Sequence, residues 1–261
     1  MNSLRVFFIG GFIAYRALFN WLRPSIYIPT MLGGPVFQIL FFAYIGRFAH
    51  LRNDEFFVVG NAVQASALAG IFGMAMTIGG ERWTQTLSPL LATPANRLAL
   101  FLGRALPLVA NGVLVSAFGF AVGWALLDFQ LELSEIPAIG LVVVVSSFAC
   151  TAFGLMTGAV GLRFRDVFFL ANLVALLLLL FCGVNVPLDS LPGWMQTVAK
   201  GLPLTHGIQA ARELAAGASF SEVSDLVLTE AAIGVAYALV AYGLLRFFEA
   251  DGRRRATLET I

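Results

Sequence analysis

Long uncharged runs alternate with short polar stretches along this chain, and the charges mark where each run stops. Uncharged windows cover Pro24–Gly46, Phe56–Gly80, Ala105–Leu127, Ile136–Leu162 and Val167–Leu188, each holding 22 to 27 residues by direct count. A helix needs roughly 20 apolar residues to cross the hydrocarbon layer of a bilayer, so each window predicts a span. A sixth window, Leu226–Leu245, is interrupted only by Glu230 near one end. With their flanks the predicted spans run 24–46, 56–80, 97–127, 136–162, 167–188 and 226–248. The pattern predicts an all-α membrane protein with six transmembrane helices, a single transmembrane domain over 1–261. Six spans leave both termini on one side.

Two stretches outside the spans also read as helix. Residues 1–23 contain "RVFFIGGFIAYRALFNWLR", with an apolar run of only ten residues between Arg5 and Arg16. That run is too short to span. Phe7, Phe8, Phe12, Phe19 and Trp21 among spaced arginines predict an N-terminal amphipathic helix lying in the membrane interface. A cleaved leader fits less well, because Arg16 interrupts the apolar core and no small-x-small site precedes Pro24. The second stretch is Asp189–Asp225, where Pro192 and Pro203 each open a segment of helical spacing and Gly217 supplies a stop. Short external helices before the last span are expected there, the alternative being a plain surface loop.

Composition agrees with the pattern. The chain is 59% hydrophobic and 12% charged, with mean hydropathy +0.86, against about 25% charged in soluble domains. A net charge of +1 argues against a nucleic-acid partner. Twelve arginines fall on one side of the predicted topology, at the N-terminus, in 81–104, in 163–166 and at the C-terminus; Arg47, Arg52, Lys200 and Arg212 fall on the other. This bias places both termini in the cytoplasm of a multi-pass cell-membrane protein.

Catalytic chemistry is hard to find. There are two histidines, His50 and His206, and no HExxH, GxSxG or CxxC. No catalytic or metal-binding residues are therefore expected. A phosphate-cradling loop needs GxxxxGK[ST], and the lone lysine, Lys200, sits between Ala199 and Gly201. If ATP drives this protein, another polypeptide binds it. Cys150 and Cys182 lie in apolar runs without ligand spacing; buried inert thiols fit best, and a disulfide is the alternative. Within the spans the costly residues are Gln38, Asn61, Gln64, Asn111, Asn172 and Glu230. Gln38, Asn61, Gln64 and Asn172 are the candidates to line a substrate pathway, or they bond helices together. Glu230 has the same two readings.

The 79–97 stretch, "GGERWTQTLSPLLATPANR", is longer and more structured than a connection between spans requires. Trp83, Leu87, Leu90 and Leu91 share one helical face, and Ser88-Pro89 and Thr93-Pro94 each pair an N-cap with a first helical position. An amphipathic helix over about 81–92 follows, suited to a lipid surface or to a groove on a cytoplasmic protein. "ERWTQTLSPLLATPANRLALFLGRAL" resembles the signature of type-2 ABC exporter permeases at Glu81, Thr86, Leu87, Leu90, Leu91, Thr93, Pro94, Arg97, Gly103 and Arg104. Gln85 stands where that pattern has glycine and Ser88 where it has glutamate. The segment "VPLDSLPGWMQTVAKGLPLTHGIQAAREL" is similar to the stretch preceding the last span in the same family.

The resemblance implies a permease that pairs as a dimer, each half binding one ABC nucleotide-binding ATPase subunit that carries the ATP and Mg. This chain itself would hold no cofactor and would not be an enzyme. It implies that Glu81, Arg82, Trp83, Thr86, Leu87, Leu90, Leu91, Thr93 and Pro94 seat in the ATPase as a coupling surface. The first, second and fifth spans would then face the dimer axis. The 81–104 loop is similar to the drug- and antibiotic-export branch, which implies a hydrophobic or amphipathic small molecule as cargo. The Arg165–Asp166 pair resembles permeases exporting lipid-linked polysaccharides, although membrane anchoring plus helix N-capping also explains it. A membrane-embedded lipid-modifying enzyme would need converging carboxylates or histidines, and an ATP-independent carrier would show repeats or several midplane charges. Neither pattern is visible.

Overall fold

The computed structural model describes residues 5, 7–13, 28–50, 53–83, 97–161 and 166–255. Among them the chain is helical, without strands. The long helices are α1 (Gly34–Phe48), α2 (Asp54–Trp83), α3 (Arg97–Leu126), α4 (Ile136–Gly161), α5 (Val167–Phe181) and α8 (Phe220–Arg255). Two short ones, α6 (Gly193–Gly201) and α7 (Thr205–Ala215), lie between α5 and α8. Five helices contain segments long and apolar enough to cross a membrane: Met31–Phe48, Asp54–Thr77, Leu102–Leu126, Ile136–Gly161 and Phe220–Phe248.

α2 and α4 form the centre of the bundle, with α3 and α8 packed on them and α1 more peripheral. The central contact is made by small residues. A Cβ added to Gly154 would sit 2.7 Å from Ile71 Cα and 2.9 Å from its carbonyl oxygen, and one on Gly70 would strike Thr151. Where lipid removes the hydrophobic drive between helices, such close backbone approach supplies the van der Waals contact that holds them. Two of the hydroxyls buried at this centre are satisfied within their own helix. Thr151 donates to the Ser147 carbonyl and Thr157 to that of Phe153, at 2.7 and 2.9 Å.

α5 differs from its expected extent. The 167–188 window predicts a full span, but the helix ends at Phe181 after 15 residues, about 22 Å against the roughly 30 Å of hydrocarbon. The cause is local. Cys182 is the C-cap, and Gly183 takes φ +74°, the left-handed turn that glycine adopts just past a helix end. At the other end Asp166 caps α5 by accepting from Phe169 N–H at 3.0 Å, so N-capping accounts for the acidic member of the Arg165–Asp166 pair. The first span also begins irregularly, with a π-helical turn over Ile28–Gly33 ahead of α1.

Residues 7–13 are helical and lie against the start of α3. A Cβ on Gly11 would lie 2.9 Å from the Gly103 carbonyl oxygen, and one on Gly103 would strike the Phe7 carbonyl. Glycine at 103 is therefore needed for this crossing. The rest of the expected interfacial helix over 1–23 lies outside the described residues.

Candidate functional site

Three of the four amides singled out for a pathway meet in space. Asn61 and Gln64 are three residues apart on α2, hence on one face, and both are only 2% exposed. Gln38 on α1 reaches across with its Nε2, donating to Asn61 Oδ1 at 2.8 Å and to Gln64 Oε1 at 2.5 Å. Asn61 Nδ2 in turn donates to its own helix at Phe57 O (2.8 Å) and to Asn185 Oδ1 (2.7 Å). The result is a chain of uncharged amides joining α1, α2 and the segment that follows α5. Asn61 and Gln64 lie about 10 and 15 Å along α2 from Asp54. Asn172 is not part of this chain. It sits on α5 and donates to Phe168 O at 2.9 Å, a bond within its own helix.

Asn185 and Arg212 escape sequence reasoning, the first because it lies within an expected span, the second because it counts only as an outer charge. Their placement follows from the early end of α5. Once the helix stops at Phe181, the carbonyls of Gly183 and Val184 lose helical partners. Non-helical backbone at membrane depth persists only where protein or cavity water satisfies it. Arg212, on α7, does so by donating to Gly183 O (2.7 Å), Val184 O (2.8 Å) and Phe56 O (3.0 Å). Its guanidinium also lies 3.5 Å over the Phe56 ring centroid. One side chain thus ties α7, the start of α2 and the 183–185 turn together. The Gly-x-Asn-x-Pro run at 183–187 was the available signal, since glycine and proline so close together favour a turn over continued helix.

α7 is itself held from α8. Glu230 is fully buried, and its carboxylate accepts from Leu204 N–H at 2.5 Å and Gly207 N–H at 3.2 Å. These are the otherwise unpaired donors at a helix start. Of the two readings open for Glu230, the geometry is that of a hydrogen-bonded anchor. Cys150 and Cys182 are free and buried. His206, in the first turn of α7, has its Nε2 3.1 Å from Lys200 O near the end of α6.

The 79–97 stretch, expected to seat in an ATPase, is described only at its two ends. Glu81, Arg82 and Trp83 are the last helical residues of α2, which runs unbroken for 30 residues from Asp54, about 45 Å. Such a helix is long enough to cross the full bilayer, headgroups included, which would bring Trp83 to the surface opposite Asp54. Thr86, Leu87, Leu90, Leu91, Thr93 and Pro94 lie outside the described residues.

A bundle of membrane-length helices with small-residue packing at its centre and a partly buried chain of neutral amides defines a polytopic membrane protein. The chain belongs to the ABC-2 type transporter family, whose model matches residues 11–215. It is 34% identical over 119 residues to the inner membrane transport permease YhhJ of Escherichia coli, a match covering 45% of this chain and 31% of that one. The chain thus matches less than a third of that relative's length. Over longer stretches it is 25% identical to two further proteins. One is the daunorubicin resistance ABC transporter permease protein DrrB1 of Streptomyces coeruleorubidus, matched over 89% of this chain and 84% of that one. The other is the probable doxorubicin resistance ABC transporter permease protein DrrC of Mycobacterium tuberculosis, matched over 83% and 80%.

Proposed function

We propose that this chain is the membrane-spanning permease subunit of an ATP-driven exporter that moves a hydrophobic or amphipathic small molecule out of the cytoplasm or the inner leaflet. The observation that carries the proposal is the amide chain Gln38–Asn61–Gln64–Asn185, placed among apolar helices. Uncharged donors and acceptors in an apolar setting suit a cargo that is largely greasy with a few polar atoms. The relatives named for daunorubicin and doxorubicin resistance, aligned over most of their lengths, support the same cargo class. Polysaccharide export is the alternative; Asp166, one member of the pair that points to it, also has a local task as the α5 cap.

In this reading ATP and Mg belong to an ABC ATPase subunit seated against Glu81–Pro94, and two permeases combine with two ATPases in the cell membrane, termini inward. α2 supplies the mechanical link. From Glu81 to Asn61 is about 30 Å of continuous helix, so a displacement imposed at the cytoplasmic end reaches the amides through a stiff element.

The test is ATP-dependent accumulation of daunorubicin in inverted vesicles holding the permease and its ATPase. Gln38→Leu breaks two bonds of the amide chain and is expected to lower accumulation at least threefold with assembly intact. Accumulation equal to that of ATPase-dead vesicles would sink the proposal.

A further inference from the structure

Asn185 carries the feature that the rest of the amide chain lacks. Its Oδ1 accepts from Asn61 at 2.7 Å, while its Nδ2, buried from solvent, has no hydrogen-bond partner. A buried N–H without an acceptor costs roughly 1–3 kcal/mol, and native structures retain few of them without a reason. The side chain is also expensively positioned. Arg212 spends three donors on the backbone beneath and beside it, at Gly183, Val184 and Phe56. Gly60, one residue before Asn61, leaves the room for this: a Cβ there would strike both the Val184 carbonyl and the Arg212 guanidinium. Arg212, Gly60 and the left-handed turn at Gly183 thus hold a donor at the end of the amide chain and leave it unused.

We propose that Asn185 is a specificity-determining contact of the transported molecule: its Nδ2–H donates to a hydrogen-bond acceptor, a carbonyl or ether oxygen, on the cargo. Arg212 and Gly60 are positioning residues for that contact. The assignment rests on the export reading above. It adds that the cargo must offer an uncharged acceptor, and that cargoes lacking one are discriminated against at this position. A site built to hydrogen-bond a ligand group rejects analogues without it, because its own polar atom is then left unpaired.

Two lipophilic cations separate the cases, rhodamine 6G with an ester carbonyl and tetraphenylphosphonium with no acceptor. Uptake is measured in inverted vesicles containing the permease with its ATPase. The wild-type complex is expected to take up rhodamine 6G with the lower KM. Asn185→Ala should raise that KM about fivefold to tenfold, the worth of one neutral hydrogen bond, and move the KM for tetraphenylphosphonium less than twofold. Asn185→Gln, which restores an amide, should recover part of the loss. Arg212→Lys keeps the charge but lacks the planar fork, so it should reproduce the acceptor-selective change with the ATPase still bound in a pull-down. Equal changes for both probes, no change for either, or wild-type uptake of tetraphenylphosphonium alone would overturn the Asn185 assignment and leave the export reading standing. No ATP-dependent uptake of either probe by the wild-type complex would overturn that reading and this assignment with it.

Discussion

Glu230, on α8, accepts a 2.5 Å hydrogen bond from the backbone N–H of Leu204, the residue that caps α7. Leu204 holds φ +85°, a conformation costing a residue with a Cβ roughly 1–2 kcal/mol. Burial of its side chain, which is fully enclosed, offsets that cost. Glu230→Ala removes the acceptor for Leu204 and Gly207 and leaves both N–H groups unpaired in the bundle. The expected loss is about 2–4 kcal/mol, read as a lower midpoint in a thermal or SDS unfolding assay. Glu230→Gln keeps one acceptor oxygen and should lose less. Leu204→Gly relieves the backbone but deletes a buried leucine worth about 2–5 kcal/mol, so the variant should be less stable than the parent. A stabilised Leu204→Gly protein would show that strain outweighs packing at this turn.

Packing at the centre makes a second contrast within one helix. Gly154 and Gly140 both lie on α4. An added Cβ at 154 would lie 2.7 Å from the Ile71 backbone, whereas one at 140 meets nothing within 4 Å. Gly154→Ala should therefore force α2 and α4 apart and cost about 1–3 kcal/mol. Gly140→Ala should be neutral or stabilising by up to about 1 kcal/mol, because alanine loses less backbone entropy in a helix. The two unfolding midpoints, measured side by side, check the direction of each.

The sidedness proposed from the charge bias is tested by chemistry at three serines. Cysteines placed at Ser134 and Ser219 should react with an impermeant thiol reagent in intact cells, and one at Ser88 should not. Both background thiols, Cys150 and Cys182, are buried and should contribute little labelling. Reaction at Ser88 with silence at Ser134 would invert the topology.

Much of the bundle can be read from where charges fall. Arg97 opens α3, the charged Asp128–Glu135 stretch precedes α4, and Asp166 opens α5. Charges alone do not mark a helix end where the helix stops within an uncharged run. "FCGVNVPL" over 181–188 is uncharged, so the window continues to Leu188 although the helix ends at Phe181. Glycine, asparagine and proline in that run carry the stop, but only as a local preference. The candidate site divides in the same way. Asn61 and Gln64 announce themselves as amides on one face of an apolar helix. Asn185 joins them through Arg212, whose bond to Val184 closes a separation of 28 residues. No periodicity encodes that pairing; it exists because an interrupted helix leaves carbonyls that need a donor.

The proposed coupling role of the 79–97 stretch gives the last prediction. α2 ends in Glu81, Arg82 and Trp83, and the sequence beyond places Leu87 and Leu90 on the same helical face as Trp83. If this element seats in an ATPase groove, its apolar residues are the anchors, since interface energy concentrates in a few buried aromatic and apolar side chains, at about 2 kcal/mol or more each. Charged neighbours at a rim contribute less, about 1 kcal/mol or below, and set register more than affinity. Leu87→Asp buries a charge in the groove and should release the ATPase from the membrane in a pull-down. Glu81→Ala should retain the ATPase and lower transport per ATP hydrolysed, because docking survives while the angle at which α2 is driven loses its constraint. A full complement of ATPase and normal export in Leu87→Asp membranes would make the stretch a lipid-surface anchor, and the force path along α2 would then have to begin elsewhere.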